Sequence, residues 1–456
     1  MKKSEMLQKL NLIFEKCDDY VERETKCGAH VFYLRFACDK KYLSEKILKV
    51  LNASQEADAI SLTAAEIKKC EDSETAADEM LAGSCVVCFS NGECVSCGAE
   101  KQAGRSVGEP NTESTVYGSH AGFVESIDTN VSIIRRCVRS KELAIENYTL
   151  GTVSKTPVTL VYLQDRAKKE AVQEIRSKLI SSSLPYILDS GYISMLLEEG
   201  SYGFATTGKS EKVSRVCAKI LSGRIAIAVE GDPFIITAPF VFAETLQETE
   251  DYRKNAFCST FVRMLRFFAL LISLYLPAFF VAASYSPIRL IPLELMMAMT
   301  ENQGTVAFGV FGELATALII FEIIREVGLR MPRAVGDSVG ILASIILGDA
   351  AVRAGLASSV VIMAAALSAV ANFAVPAYKD SSVLLRLLLM CAARALSFGG
   401  IGITTLGLIA VLVNTKSFGT PYMTPVTPFD KNGILDFLIS MPEKNIMRGD
   451  AGITNE

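Results

Sequence analysis

Four cysteines in paired spacing, Cys85-x2-Cys88-x5-Cys94-x2-Cys97, are the first residues in this chain whose types and spacing suggest chemistry. Two CxxC pairs can hold a tetrahedral zinc ion. Between them, however, Asn91-Gly92 is a two-residue hairpin signal. In that hairpin residue 89 would face 94 and residue 88 would face 95. Positions 85 and 88 differ by three, so they point to opposite sheet faces. The five-residue spacer is also short for two zinc knuckles. The hairpin is the preferred reading, and no metal is expected. A second pattern, Gly203-Phe-Ala-Thr-Thr-Gly208-Lys209-Ser210, matches the phosphate loop G-x4-G-K-[ST]. Backbone amides would ring a phosphate there, and Lys209 would reach its outer oxygens. A helical pattern follows over 211–221, but 192–199 before it also reads as helix, where the motif requires a strand. The two histidines, His30 and His120, support no Ser/His/Asp arrangement. Catalysis and a bound cofactor are therefore not expected.

A composition break near residue 265 divides the chain of 456 residues. Before it the sequence is charged and mixed α/β. After it, from Phe267 to Val413, apolar stretches follow one another with few charges between them. The run 267–286 is long enough to cross a bilayer, which takes about 20 apolar residues. A net charge of -4 argues against nucleic acid as a partner. The N-terminal segment has no apolar core of the signal-peptide kind, so the soluble half is expected to remain cytosolic. Twelve cysteines, eleven of them before the break, are expected as reduced thiols acting mostly as small buried hydrophobes.

In the soluble half, 28–36 reads as strand and 42–51 as an amphipathic helix. Residues 98–118 read as a linker. Then 157–163 reads as a buried strand, 166–180 and 212–221 as helices, and 224–240 as two strands turning at Gly231-Asp232. The fold class expected is an α+β cytosolic N-terminal region of two subdomains, 1–118 and 119–265. An all-α polytopic membrane domain of about five spans follows over 266–413, with a soluble tail over 414–456.

The candidate spans are 267–286, 305–324, 335–352, 355–377 and an interrupted fifth, 383–413, broken at Gly399-Gly400-Ile-Gly402. Arg325, Arg330 and Arg333 place the loop 325–334 inside by the positive-inside rule. Arg253, Lys254, Arg263 and Arg266 put the start of the first span on the same side. Ionisable groups within such segments are costly and are usually functional. Glu313, read as mid-span, is the first candidate for a cation path, with Asp349 beside it. Glu322, Asp337 and Arg394 read as snorkelling or internally paired groups. Pro277 and Pro376 lie inside apolar runs and read as kinks or gates. Gly336-x3-Gly340 allows close helix contact. No paired repeat halves suggest a transporter with its own midplane site.

Several stretches together resemble one family. They are Gly122-Phe123-Val124-Glu125 with Thr129-Asn130 and Arg135-Arg136, and 221–239 with its Gly223-Arg224 and Glu230-Gly231. Glu250-Asp251-Tyr252, Leu276-Pro277-Ala278 and Ile291-Pro292 follow. The central signature is Arg325-Glu326-x-Gly328-x-Arg330-x-Pro332 with Gly348-x-Ala350-Ala351-Val352, and Ser417-Phe418-Gly419-x-Pro421-Tyr422 closes the set. From about residue 80 to 430 the chain is similar to the A subunits of spore germinant receptors, the GerA family of endospore-forming bacteria. It departs from the pattern at Cys137, which replaces a third arginine, at Glu230, which replaces an aspartate, and at 119–123. Before span 2, Gln303 and Ala307-Phe308-Gly309 replace an arginine and a Pro-Phe-Pro.

The resemblance implies a multi-pass protein of the spore inner membrane that forms a homo-oligomeric, cation-conducting ring. Its implied partners are a transporter-like, nutrient-binding B subunit and a C-subunit lipoprotein. Two rivals remain at this point: the related membrane protein of the stage V sporulation A locus, which amplifies germination, and a membrane-anchored nucleotide-binding regulator built on 203–210.

Overall fold

The computed structural model describes residues 3–53, 67–100, 110, 119–198, 204–248, 250–251, 254–286, 309–331, 345–429 and 437. The first sheet is antiparallel, in the order β1 (Tyr20–Glu24), β2 (His30–Leu34), β4 (Ser84–Cys88), β5 (Cys94–Gly98), β3 (Ile67–Lys69). One face buries Phe32 and Val86 against Leu10 and Phe14, from α1 (Lys3–Ile13) and just beyond it, and Met80 of α4 (Ser73–Leu81). The other face packs on Ile47 and Leu51. These come from a continuous helical segment made of α2 (Lys40–Tyr42), a π-turn over Leu43–Leu48, and α3 (Lys49–Ala53).

The hairpin β4–β5 carries the four cysteines, one residue out of the expected register. Cys88 pairs with Cys94 and Cys85 with Cys97. Phe89 N–H bonds to the Glu93 carbonyl, and Gly92 adopts φ +90°, which makes a wider, bulged turn in place of the two-residue one. Cys85 and Cys97 lie on one sheet face and Cys88 and Cys94 on the other, so the four sulfurs do not converge on one point. Cys88 and Cys94 are joined as a disulfide, which corrects the expectation that all thiols are reduced.

The second sheet runs β6 (Leu143–Leu150), β7 (Thr156–Leu163), β9 (Ile225–Val229), β10 (Ile235–Ala238), β8 (Gly208–Ser210), again antiparallel. Helices cover both faces, which is why β9 reads as an unbroken apolar run. Val158, Leu160 and Tyr162 face α6 (Lys169–Ser181) and α7 (Ser190–Leu197). Val161 and Leu163 face α5 (Ile127–Cys137) and α8 (Val213–Leu221). The β9–β10 turn at Gly231 (φ +89°) reaches both helix layers. Glu230 Oε2 accepts from Ile127 N (2.9 Å) and Asp232 Oδ2 from Ser190 N (2.6 Å), so the turn satisfies orphan amides at the starts of α5 and α7. The two sheets are joined by a buried ion pair, Arg135 Nη2 to Asp19 Oδ1 at 2.6 Å.

The C-terminal region is helical: α9 (Ala256–Tyr285), α10 (Val310–Arg330), a stretch over 345–353, α11 (Ser359–Asn372) and α12 (Lys379–Asn414). Among the described residues, two segments are long and apolar enough by length and composition to be candidate membrane spans, Ala256–Tyr285 and Ser381–Asn414. Small residues mediate their packing, with Ala278 and Ala282 of α9 against Ala364 and Ala365 of α11 and Ala393 of α12.

α12 is not one straight rod. Its backbone leaves the helical region at Leu396 and Ser397 (φ 51°, ψ -132°). A straight helix of that length would run about 54 Å, at 1.5 Å per residue. The eight residues after it could return about 27 Å at most. Yet Tyr378, before α12, and Tyr422, after it, meet hydroxyl to hydroxyl at 3.0 Å. α12 is therefore a helical hairpin whose arms, each about 25 Å, are shorter than the roughly 30 Å apolar core of a bilayer. The expected break at 399–402 falls three residues earlier, and Gly400 serves the contact between the arms. A Cβ there would lie 2.0 Å from the Ala392 carbonyl oxygen.

The chain after α12 returns to the second sheet as the hairpin β11 (Lys416–Ser417) and β12 (Thr420–Pro421). Ser417 Oγ donates to the Thr206 carbonyl (2.8 Å) and accepts from Phe240 N (3.0 Å). Phe418 enters the core beneath α6. This part of the expected tail is thus packed, and the end of α12 lies on the soluble side.

Candidate functional site in the helical bundle

Pro277 has no N–H, so the carbonyl four residues earlier, at Ser273, has no helical partner. In apolar surroundings an orphan carbonyl costs several kcal/mol, of order 2–7. α9 nevertheless continues through Pro277, because two other helices supply donors. Ser368 Oγ of α11 donates to Ser273 O at 2.7 Å, and Arg386 Nε of α12 donates to it at 3.0 Å. Arg386 Nη2 also donates to Ser273 Oγ (3.2 Å), which bonds Asn372 Oδ1 (3.4 Å). Asn372 Nδ2 reaches the Lys379 carbonyl (3.4 Å) at the start of α12. Ser273 and Ser368 are fully buried and Arg386 is 2% exposed. One proline thereby ties three helices through a single carbonyl and places a full positive charge inside the bundle.

The knot lies close to the junction with the soluble half. There Leu270, Val375, Tyr378 and Tyr422 pack with Phe204 and Phe240. Two buried ion clusters flank this junction. Asp251 accepts from Arg266 (Nη1 2.6 Å, Nη2 3.0 Å) and Arg263 (3.3 Å), anchoring the first turns of α9. Glu244 is paired with Lys219 of α8 (2.8 Å) and Arg224 (2.9 Å). Burial pushes the Glu244 carboxyl up, but Arg224 and Lys219 outweigh it and hold it down at about 2.

Of the site residues expected from the sequence, Pro277 is at the centre of the knot. Glu313 is not mid-helix but in the first turn of α10, 1% exposed, and its Oε2 accepts from Ser358 N (2.7 Å), the residue that caps α11. It thus joins the starts of α10 and α11, where a carboxylate complements the helix dipole. Asp349 is exposed and pairs with Arg353 at 2.8 Å. Pro376 is not inside a helix; it opens the short turn Pro376–Tyr378 between α11 and α12, where a missing N–H costs nothing. Within the central signature, Arg325 pairs with Glu322 (2.8 Å) and Arg330 with Glu326 (2.7 Å) along α10, while Gly328 lies on the same helix with no described atom within 4 Å of a Cβ added there. Arg394 lies over the Tyr285 ring, 4.1 Å from its centre. Gly336, Gly340, Asp337 and Pro332 lie outside the described residues, as do Gly203, Ile291-Pro292, Gln303 and Ala307-Phe308.

Gly208-Lys209-Ser210 forms the edge strand β8, paired with β10, rather than a loop opening a helix. That is not the geometry of a phosphate loop, and it counts against the nucleotide-binding alternative. The sequence reading missed Ser273, Ser368, Asn372 and Arg386. The signal was available: the residue four before an intrahelical proline loses its partner, and Ser368 and Asn372 share a helix face.

These are the features of an α/β region followed by a helical region with two candidate membrane spans among the described residues. The Bacillus/Clostridium GerA spore germination protein family matches residues 8–450, and the chain belongs to that family. It is 32% identical to spore germination protein KA of Bacillus subtilis (strain 168) over 444 residues, 93% of this chain and 81% of that protein. It is 30% identical to spore germination protein A1 of the same organism over 446 residues, 94% of this chain and 91% of that one. Among solved structures it is similar to the N-terminal domain of the A subunit of the Bacillus megaterium spore germinant receptor GerK3, at 26% identity and a TM-score of 0.41. That match covers 53% of this chain and 96% of the other.

Proposed function

We propose that this chain is the A subunit of a nutrient-gated germinant receptor in the spore inner membrane, and that its homo-oligomer conducts monovalent cations. Its partners are a transporter-like B subunit, which binds the nutrient, and a C-subunit lipoprotein. The chain works by changing conformation and not by catalysis. Residues 1–118 and 119–265 act as cytosolic subdomains. The membrane domain makes about five passes, with the α12 hairpin as the fifth element.

The observation that carries this reading is the Pro277 knot together with its neighbour, the Tyr378–Tyr422 junction. A movement of the soluble half is passed through β11–β12 and Tyr422 to both ends of α12. From there it reaches Arg386, eight residues along. Withdrawing Arg386 from Ser273 O changes how α9, α11 and α12 hold one another, and that change is read by the conducting path. A ligand on the B subunit shifts this equilibrium only through contacts that differ between the two states.

The test is potassium release from spores lacking this chain, after addition of a panel of nutrients. Complete loss of release for one nutrient class, restored by the wild-type chain, is the expected result. Slower release for every nutrient would instead indicate an amplifying role.

A further inference from the structure

α9 is 30 residues long. At 1.5 Å per residue it measures about 45 Å. That exceeds the roughly 30 Å apolar core of a bilayer and matches its roughly 40–45 Å thickness with both headgroup layers. The apolar run begins at Phe267, so residues 256–266 of the helix precede it. These first turns have two unlike faces. Ser259 Oγ donates to the Asp251 carbonyl, and Arg263 and Arg266 donate to the Asp251 carboxylate, so the polar face is fastened to the protein. The opposite face is bare. Phe257 is 81% exposed and Phe261 63%, and Met264 and Leu265 are exposed beside them. Every exposed residue between 257 and 272 is Phe, Leu, Ile, Met or Cys.

We propose that this face is a lipid-binding surface, with Phe257, Phe261, Met264 and Leu265 at the headgroup–acyl boundary of the leaflet on the soluble side. This deepens the membrane reading of the proposed function and rests on it. Three observations choose lipid over a second protein chain. The exposed side chains of the face carry no charge and no oxygen or nitrogen with which to orient a protein partner. The face also continues without a break into Phe268, Ile272 and Phe279, which lie on the same side of the same helix within the apolar run and are exposed too. The helix length, finally, equals the full bilayer rather than its core. Tyr285, with Arg394 over its ring, stands at the far end of α9, and tyrosine is enriched at membrane–water boundaries. Membrane contact therefore starts near Phe257, well before the apolar run, and the Asp251 ion cluster lies at headgroup depth. α9 itself then holds the soluble half against the membrane surface.

The experiment uses the full-length chain in nanodiscs of phosphatidylethanolamine and phosphatidylglycerol. The photoreactive p-benzoylphenylalanine replaces Phe257, Phe261, Phe279 or Leu188, one site at a time; Leu188 is exposed on the soluble half. After irradiation, lipid adducts are read by mass and protein adducts by gel. Lipid adducts at 257 and 261 are expected within about threefold of the yield at 279, and about tenfold or more above that at 188. Lipid adducts at 279 without any at 257 and 261 would overturn the proposal and leave the membrane reading standing. Adducts between two chains at 257 and 261, in place of lipid, would assign the face to a second copy and overturn it as well. No lipid adduct at 279 either would overturn the membrane reading together with the proposal. A second arm uses the unsubstituted chain, so no variant has to fold. In the same nanodiscs a charged methanethiosulfonate is expected to modify Cys258, exposed on α9 beside Phe257, about tenfold or more slowly than Cys137, exposed at the end of α5. Equal rates would overturn the proposal.

Discussion

Replacing Pro277 with alanine returns an N–H to α9 within reach of the Ser273 carbonyl. In the wild-type chain that carbonyl is served by Arg386 Nε and Ser368 Oγ. A hydrogen bond from a charged donor contributes about 1.5–3 kcal/mol, so Arg386→Gln is expected to cost about 2–3 kcal/mol in the native background. In the Pro277→Ala background the two lone pairs of the carbonyl are filled by the restored backbone N–H and by Ser368 Oγ. Arg386 then keeps only its bond to Ser273 Oγ, and its loss is expected to cost about 1 kcal/mol. The double-mutant cycle thus predicts a coupling of about 1–2 kcal/mol between two residues more than one hundred positions apart. The assay is reversible unfolding in mixed micelles, titrated with a denaturing detergent. It is followed by far-UV circular dichroism, since the chain has no tryptophan. Costs for Arg386→Gln that agree within about 0.5 kcal/mol in the two backgrounds would refute the argument that Pro277 creates the need for Arg386.

Other outcomes follow from particular contacts. Because the folded Glu244 carboxyl is depressed, its contribution is fully present above the ordinary glutamate range. It is lost as pH falls from about 4.5 toward 2. Acid unfolding of the native chain should show up to about 3 kcal/mol of loss across that window, and Glu244→Gln should flatten it; the same slope in both would count against the Lys219–Glu244–Arg224 assignment. Gly400→Ala places a Cβ against the Ala392 carbonyl and is expected to cost about 1–3 kcal/mol. Gly402→Ala meets nothing within 4 Å and should be near neutral in the same unfolding assay; equal effects would argue against the hairpin. Glu313→Gln keeps an acceptor for Ser358 N, so the chain should assemble, while cation flux changes if this carboxylate faces the path. Unchanged flux would remove it from the pathway.

The soluble elements are legible in the sequence because period-2 and period-3.6 apolar patterns report which face is covered. Pro157 to Leu163 and 166–180 are examples, and β7 and α6 lie where those patterns put them. The hairpin register differs by one residue from the expected one, since Asn91-Gly92 fits both a two-residue turn and the bulged turn that forms. A break is legible at Gly399-Gly400-Ile-Gly402, but its place at Leu396–Ser397 and the reversal it makes are not, because both depend on contacts that only the folded bundle provides, between Gly400 and Ala392 and between Tyr378 and Tyr422. Pro277 reads as a potential gate, but its partners come from residues about 90 and 110 positions later. Spacing along one helix sets Ser368 and Asn372 on a common face but does not say which helix that face meets. Glu313 draws attention by charge alone, and its capping of α11 depends on two helix starts meeting in space.

The most direct test of the account is potassium release from spores carrying Pro277→Ala, with the protein present at wild-type level in the inner membrane. If the Ser273–Arg386 bond holds the resting state, the variant will lose potassium without nutrient or at a lower nutrient concentration than wild type. Release indistinguishable from wild type, in threshold and in rate, would contradict the claim that this knot is the element that moves.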